Sequence, residues 1–219
     1  MAKLLLITAC IGCGAAPVQQ GPAQQGPAQQ GPAQQAAPAQ QAAPTSNPPV
    51  AWQVPAGFRS ETIPFPLEFA PTLPHRGVEE LRFAPGFFDP AAQGYWSYAF
   101  AWRTDDPAEL DAAALGGELT AYFRGLIAAV DQKHEIANVD SIVATAKPDG
   151  VRFALSAHVI DAFRTKQPVD LAGWAERRAC RRGAVWVFVL APQATALRPQ
   201  LDALAADAAC DQPLPGPAR

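Results

Sequence analysis

Three histidines and a few scattered acids are the first candidates for catalysis or metal binding. His75 lies in a proline-rich stretch, His134 follows a predicted helix and His158 lies in a predicted strand. Ser156, His158 and Asp161 are too close along one strand to act as nucleophile, base and orienting acid. The chain contains no G-x-S-x-G, phosphate-loop or dinucleotide-binding motif. We therefore predict no catalytic residue, no metal site and no cofactor.

Two adjacent carboxylates, Glu79 and Glu80, stand in a short predicted strand. Successive side chains of a strand point to opposite faces, so these two cannot act as a pair on one substrate. We expect them at the surface or at a sheet edge. An alternative stays open, in which Glu79, Glu80, His158 or Asp161 come together in a deep pocket of a hydrolase-like enzyme.

The strongest local concentration of positive charge surrounds Cys180 and consists of Arg177, Arg178, Arg181 and Arg182. One interpretation is a solvated segment, helical from Leu171. The other is a contact for an anion, an acidic partner or lipid headgroups. These four arginines are therefore candidate contact residues.

Residues 95–103 give the clearest strand pattern of the chain. Aromatic residues alternate with small ones, so one face carries Trp96, Tyr98, Phe100 and Trp102, and the other carries Ser97, Ala99 and Ala101. The small face suits close packing of a helix. The aromatic face either fills the core or, if it is open, places Trp96, Tyr98 and Trp102 against a ligand.

Cys180 precedes the last predicted strand and Cys210 ends the last predicted helix. A strand that advances about 23 Å and a packed helix that returns about 21 Å bring their outer ends together. We predict a disulfide between the two residues, the alternative being two buried free thiols. No CxxC or histidine cluster stands beside them to form a zinc site.

The order of the elements predicts one α+β domain, with an antiparallel sheet of about four to six strands and two main helices packed on it. The first helix should begin with Asp106 as N-cap and end near residues 131–133, and Gly116 and Gly117 could bend it. A hairpin follows, with strands at 138–147 and 151–160 and a turn at 147–150. Strand 184–190 is apolar on both faces, and a last helix covers about 196–209.

The start of the chain carries one lysine and the apolar run Leu4 to Ala9, and Cys10 follows this run. The residues Ile7-Thr8-Ala9-Cys10 resemble the lipobox of bacterial lipoproteins. That resemblance implies acylation of the Cys10 thiol and cleavage before it, with Cys13 as the alternative site. The run is too short to span a membrane, which takes roughly 20 apolar residues. Acyl chains would supply the anchor instead.

A low-complexity segment of Gln, Gly, Pro and Ala follows, with QQGPA three times in succession. It cannot bury enough apolar area to fold, and its prolines favour an extended spacer. We therefore divide the chain into a signal peptide at 1–9, a lipidated N-terminus and disordered tether at 10–50, a globular domain at 51–212 and a Pro-rich tail at 213–219.

These features together predict an extracytoplasmic lipoprotein, at the outer membrane or cell surface, with a non-catalytic binding or scaffolding domain. The net charge of −3 argues against a nucleic-acid ligand. We expect a monomer that meets the membrane through its lipid and contacts an envelope protein or polymer. A shallow surface that is aromatic or rich in arginine would favour this reading over the enzyme.

Overall fold

A computed structural model describes residues 51–106 and 109–210 of the chain. Seven strands form one antiparallel sheet, and two α-helices accompany it. A short 3-10 helix at Val139–Ser141 occupies the start of the strand that we predicted from residue 138. The strands are β1 (Arg59–Phe65), β2 (Gly77–Phe83), β3 (Tyr98–Thr104), β4 (Val143–Asp149), β5 (Arg152–Ile160), β6 (Pro168–Ala179) and β7 (Ala184–Pro192). The helices are α1 (Ala112–Val130) and α2 (Arg198–Ala206). The predicted α+β class is confirmed, but the sheet has more strands than the four to six expected.

The sheet order is β1-β2-β3-β7-β6-β5-β4, and it contains two strands that the sequence pattern did not reveal. Strand β1 includes Pro64, and it lies at the edge of the sheet, where a proline removes no ladder hydrogen bond. Strand β6 contains Arg177 and Arg178, which we expected in a helix or solvated segment. It pairs with β5 on one side and β7 on the other, so the helical expectation is wrong.

The centre of the sheet is β7, which lies between β3 and β6. Eight of its residues are buried, from Ala184 to Ala191, because other elements cover both faces. The prediction of a central strand covered on both sides is confirmed. Strand β3 pairs with β7 along its whole length, from Tyr98 opposite Leu190 to Thr104 opposite Ala184.

One face of the sheet carries the larger, aromatic core. Helix α1 covers β4 and β5 on this face, and the loop between β1 and β2 contributes Leu67, Ala70 and Leu73. The helix begins one turn later than expected. Its N-cap is Asp111, whose side chain accepts a hydrogen bond from the backbone N–H of Ala114. It ends at Val130 with Asp131 as its C-cap, next to the predicted end near residues 131–133.

The paired glycines of α1 neither bend nor divide it, since the helix runs unbroken through them. A Cβ at Gly116 would lie 3.2 Å from the carbonyl oxygen of Ala144 in β4. Gly116 therefore allows the helix to approach the strand closely. The side chain of Thr120 reinforces this contact, because it receives a 2.9 Å hydrogen bond from the Ala144 N–H.

The opposite face of the sheet carries a smaller core. Ala99 and Ala101 of β3 are completely buried there with Leu201 and Ala205 of α2. The prediction that the small face of this strand receives a helix is thus confirmed. The segment before β1 adds Trp52, whose indole N–H donates a 2.8 Å hydrogen bond to the carbonyl of Leu204.

Cys180 and Cys210 form a disulfide, as predicted, with their Cα atoms 5.4 Å apart. The bond connects the end of α2 to the β6–β7 turn. The predicted hairpin is also present as β4 and β5, but its turn lies at residues 150–151, where Gly150 adopts a φ of +62°.

The predicted signal peptide, the acylation sites Cys10 and Cys13, the tether and the tail at 213–219 lie outside the described residues. Among the residues that are described, no helix is long and apolar enough to cross a membrane.

Candidate functional site

The histidines do not converge in the structure. His158 of β5 is 2.7 Å from Asp170 of β6, and this pair lies at the surface, with 38% and 85% of the two side chains exposed. His75 is buried in the loop before β2, and its Nε2 lies 2.7 Å from the carboxylate of Glu118 in α1. His134 is exposed after the end of α1. Across residues 51–106 and 109–210, no three His, Cys, Asp or Glu side chains are grouped to hold a metal ion.

Glu79 and Glu80 point to opposite faces, as predicted, but the expectation that they lie at the surface is wrong. Glu79 has no exposed area and lies in the aromatic core opposite Trp102 of β3. Its Oε1 accepts a 3.0 Å hydrogen bond from the indole N–H of Trp102, while its Oε2 has no partner. Burial raises the pKa of Glu79 to about 8, because the loss of hydration outweighs the support that Trp102 and Tyr122 give to the charged carboxylate.

A group of titratable side chains thus surrounds Trp102. The His75 ring lies 5.3 Å from the Trp102 ring, between centroids, and the Tyr122 ring lies 6.0 Å from it. Burial raises the pKa of Tyr122 well above its usual value, so its hydroxyl stays neutral. Sequence spacing could not show this grouping, because its members come from two strands, a loop and a helix.

Glu80 serves the opposite face of the sheet. Its carboxylate contacts the guanidinium groups of both Arg82 and Arg103, and all three side chains are largely buried. Arg82 also donates to the backbone carbonyls of Trp52 and Gln53, at 2.8 and 3.1 Å. This cluster therefore holds the first described segment of the chain against the sheet.

Asp161 organises a loop and does not join the other acids. It accepts hydrogen bonds from the backbone N–H groups of Phe163, Arg164 and Thr165 and from the hydroxyl of Tyr95. Burial alone would raise the pKa of Asp161, but these hydrogen bonds together hold it below its usual value. Asp161 therefore stabilises this loop and does not belong to a catalytic pocket with the other acids.

The four arginines around Cys180 lie in two different elements of the structure. Arg177 and Arg178 belong to β6, where Arg178 pairs with Glu176 at 2.9 Å and Arg177 lies 3.4 Å from Glu109. Arg181 and Arg182 are exposed in the bend between β6 and β7. Because successive side chains of a strand point to opposite faces, Arg177 and Arg178 do not lie on the same face of β6.

The aromatic stripe is part of the core. Trp96, Tyr98 and Trp102 are each at most 2% exposed, so no ligand can reach them in this structure. The expectation that they contact a ligand is therefore wrong, and the core interpretation is confirmed. Trp96 lies outside β3 and adopts a φ of +47°.

We compare two hollows of the described surface, which differ in whether their charged side chains pair with one another. The larger, of about 300 Å³, lies beside the end of α1. There the Lys166 ammonium lies 3.7 Å from Asp131, and Asp131 also accepts hydrogen bonds from the backbone of Glu135 and Ile136. Asp131 and Glu135 therefore both have an ion-pair partner in this hollow, the Lys166 ammonium.

The other hollow, of about 260 Å³, has charges without partners, and we call it the arginine hollow. Residues 84–89 form one wall, Gly57 and Arg59 a second, and Arg164 a third. Both arginine side chains are exposed, and no acid in the described ranges lies within salt-bridge distance of either. The Arg59 guanidinium carbon lies 5.3 Å from the centre of the Phe88 ring.

The loop between β2 and β3 gives this hollow a fixed shape. Seven backbone hydrogen bonds close the loop, including Phe87 N–H to Ala84 and Trp96 N–H to Phe87. Gly86 adopts a φ of +80°, and a Cβ there would lie 2.4 Å from the Cβ of Ala92. A binding surface that is fixed in advance loses less conformational entropy when a ligand arrives.

The sequence analysis predicted none of the residues that line the arginine hollow as site residues. Arg59 and Arg164 are about a hundred positions apart, and neither stands in a charged cluster. The one available signal was the segment FAPGFFDP at residues 83–90, in which glycine and proline bracket two aromatic residues. Such a segment indicates a shaped loop, but it does not indicate which charges lie against it.

Comparison of the chain with known protein families, with curated proteins and with solved structures finds no significant match.

Proposed function

We propose that this protein is a lipid-anchored binding protein of the bacterial cell envelope, and that the arginine hollow is its contact site. The observation that carries the binding role is a shallow, preformed hollow with two unpaired arginines and an aromatic wall. Unpaired guanidinium groups beside an apolar ring suit an anionic ligand with an apolar part.

The anchor and the compartment rest on the lipobox-like residues that end at Cys10. The Cys180–Cys210 disulfide supports the same compartment, because disulfides persist mainly outside the reducing cytoplasm. A spacer at residues 15–49 would let the domain work away from the membrane, at a distance of up to roughly 80–100 Å at about 3 Å per residue.

A second candidate function is hydrolysis by the group around Trp102. The observation that favours it is the meeting of Glu79, whose pKa of about 8 leaves it largely protonated at neutral pH, with the His75–Glu118 pair. An acid and a histidine–carboxylate pair could divide the roles of proton donor and base. These side chains are buried, so substrate would have to enter by displacing the loop between β1 and β2.

In-cell photo-crosslinking tests the proposed contact site. A photoreactive amino acid at Asp89, on the wall of the arginine hollow, should form a covalent adduct in growing cells. The same amino acid at Val151, which is 87% exposed in the β4–β5 turn, serves as control and should form none. The double variant Arg59→Gln, Arg164→Gln should reduce the Asp89 adduct at least tenfold.

Equal labelling from Asp89 and Val151, or an Asp89 adduct that survives loss of both arginines, would contradict the proposal. The enzyme alternative predicts a different result. Soluble fragments should be released when the purified protein is incubated with envelope material, and His75→Asn should abolish the release while Arg59→Gln leaves it unchanged.

A further inference from the structure

We propose that the arginine hollow captures the free C-terminal carboxylate of a peptide, and that the peptide backbone pairs antiparallel with the outer edge of β1. This inference rests on the proposed binding function and names the ligand class of the same site. It joins two features that lie next to each other in the fold. Arg59 lines the hollow and is also the first residue of β1.

The charge of the hollow fits a single negative group. Arg59 and Arg164 contribute two positive charges and Asp89 contributes one negative charge, which leaves a net charge of about +1. One oxygen of Asp89 already accepts a hydrogen bond from the backbone N–H of Ala91. One carboxylate, with a charge of −1, would cancel the net positive charge of the hollow. Asp89 would repel a phosphate dianion or a dense anionic surface.

The apolar part of the hollow can hold the last side chain of such a peptide. Phe87 is buried and Phe88 is half-buried, and their rings pack 4.9 Å apart between centroids. Pro85 adds further apolar surface beside Gly57, at 3.2 Å from the position of a Cβ there. An aliphatic terminal side chain would bury apolar area against these rings while its carboxylate meets the arginines.

The outer edge of β1 offers backbone groups next to the hollow. Strand β1 ends the sheet order, so within the described part of the chain its outer side pairs with no strand. Pro64 lacks an N–H, and in an edge strand the proline nitrogen faces away from the neighbouring strand. By the two-residue period, Ser60 and Thr62 then also direct their N–H and C=O groups outward. Both residues are exposed.

The direction of the bound peptide follows from these positions. The hollow lies at the start of β1, so a peptide that ends in the hollow runs opposite to β1. Pairing with Ser60 and Thr62 engages about four peptide residues. The pairing cannot extend past Pro64, because proline has no N–H to donate to the peptide. Strand addition gives affinity through main-chain hydrogen bonds, and capture of the terminal carboxylate sets the register.

Retention of defined peptides by the immobilised full-length chain in detergent tests the proposal. The probe is a mixture of pentapeptides with varied last two residues, made once with a free C-terminal carboxylate and once with a C-terminal amide. We expect free-acid peptides to be retained at least tenfold better than the amides. The Arg59→Gln, Arg164→Gln variant should lose this preference, and the control Arg76→Gln, which changes another exposed arginine, should keep it.

Methylated peptides test the strand pairing without altering the protein. N-methylation at alternate positions removes the N–H groups that face β1 in one peptide set and those that face solvent in the other. One set should lose at least tenfold in retention and the other should be unchanged. Equal effects of the two sets would overturn strand addition.

The other outcomes also decide between the two proposals. Equal retention of acids and amides, or binding of acetate or anionic vesicles without free-acid peptides, overturns carboxylate capture. In that case a crosslink from Asp89 in cells still supports the proposed contact site with a different ligand. Absence of that crosslink contradicts the contact site itself, whatever the peptides do.

Discussion

The indole N–H of Trp102 donates a 3.0 Å hydrogen bond to a carboxyl oxygen of Glu79, and neither side chain has any exposed area. The two residues are directly opposed on β2 and β3. A charged carboxylate would be unstable at such a site, so the raised pKa keeps the group neutral near pH 7. The core of this domain therefore contains a proton whose loss is linked to stability.

The first prediction concerns the pH dependence of stability. Glu79 has a pKa of about 8 in the folded domain against a usual 4.5, so between these values the folded state holds a proton that the unfolded state has lost. The free energy of unfolding should therefore fall as pH rises from about 4.5 to about 8, by up to about 1.4 kcal/mol per pH unit from this residue.

The variant Glu79→Gln isolates this contribution, because an amide keeps the acceptor for Trp102 but does not titrate. Urea unfolding of this variant between pH 5 and pH 8 should show a flatter slope than the wild type. Glu68→Gln, at an exposed position, should keep the wild-type slope. If Glu79→Gln and the wild type have the same slope, the buried carboxyl is not the linked group.

A second prediction concerns the disulfide. Cys180 and Cys210 are 30 positions apart, and a cross-link of that span restricts the unfolded chain by about 3–4 kcal/mol. The double variant Cys180→Ala, Cys210→Ala should lose about that much free energy of unfolding. A reducing agent should destabilise the wild type similarly and leave the variant unchanged, as measured by urea unfolding.

A third prediction concerns Trp52, which holds the first described residues of the chain against the domain. Trp52 is 2% exposed, donates to Leu204 and lies under the Arg82 guanidinium at 4.3 Å from the ring centre. Trp52→Ala should cost about 3 kcal/mol, and Trp52→Phe about 1 kcal/mol, since it loses mainly the hydrogen bond. Val54→Ala, at a position 45% exposed, should change stability by less than about 0.5 kcal/mol. Similar losses at positions 52 and 54 would contradict this anchoring role.

A fourth prediction compares two glycines. A Cβ at Gly117 in α1 meets nothing within 4 Å, so Gly117→Ala should stabilise the domain by about 0.5–1 kcal/mol through helix propensity. A Cβ at Gly173 in β6 would lie 1.7 Å from the carbonyl oxygen of Val189, so Gly173→Ala should cost at least about 2 kcal/mol. Thermal unfolding of both variants should shift in opposite directions, and a shift of the same sign would show that the packing at one of them is misjudged.

Local patterns were enough to predict much of this fold. The apolar run in β7 and the paired cysteines each carry their own physical signal, and both predictions are confirmed. The alternation in β3 is confirmed from Tyr98 onward, but the strand begins three residues later than predicted and leaves Trp96 outside it. Strand β1 was missed because Pro64 weakens any strand pattern, and only its place at the sheet edge makes the proline tolerable. Strand β6 was missed because Gly173 weakens the apolar face that Val169 and Leu171 begin, and because the adjacent Arg177 and Arg178 resemble a solvated segment.

The candidate sites were much less predictable, because they depend on contacts between distant residues. Glu79 resembles any surface acid in sequence, and only its position opposite Trp102 reveals that it is buried. Arg59 and Arg164 meet at one hollow because Asp161 folds the 161–167 loop beside the β2–β3 loop. No spacing rule connects these residues.

We propose that this domain is exported, acylated at Cys10 and tethered to a membrane. Metabolic labelling of bacteria that express the full chain with an alkyne fatty acid tests it most directly. The protein should carry the label and sediment with membranes, and Cys10→Ala should lose both properties while Cys13→Ala keeps them. An unlabelled wild-type protein in the cytosolic fraction, with Cys180 and Cys210 reduced, would contradict the account.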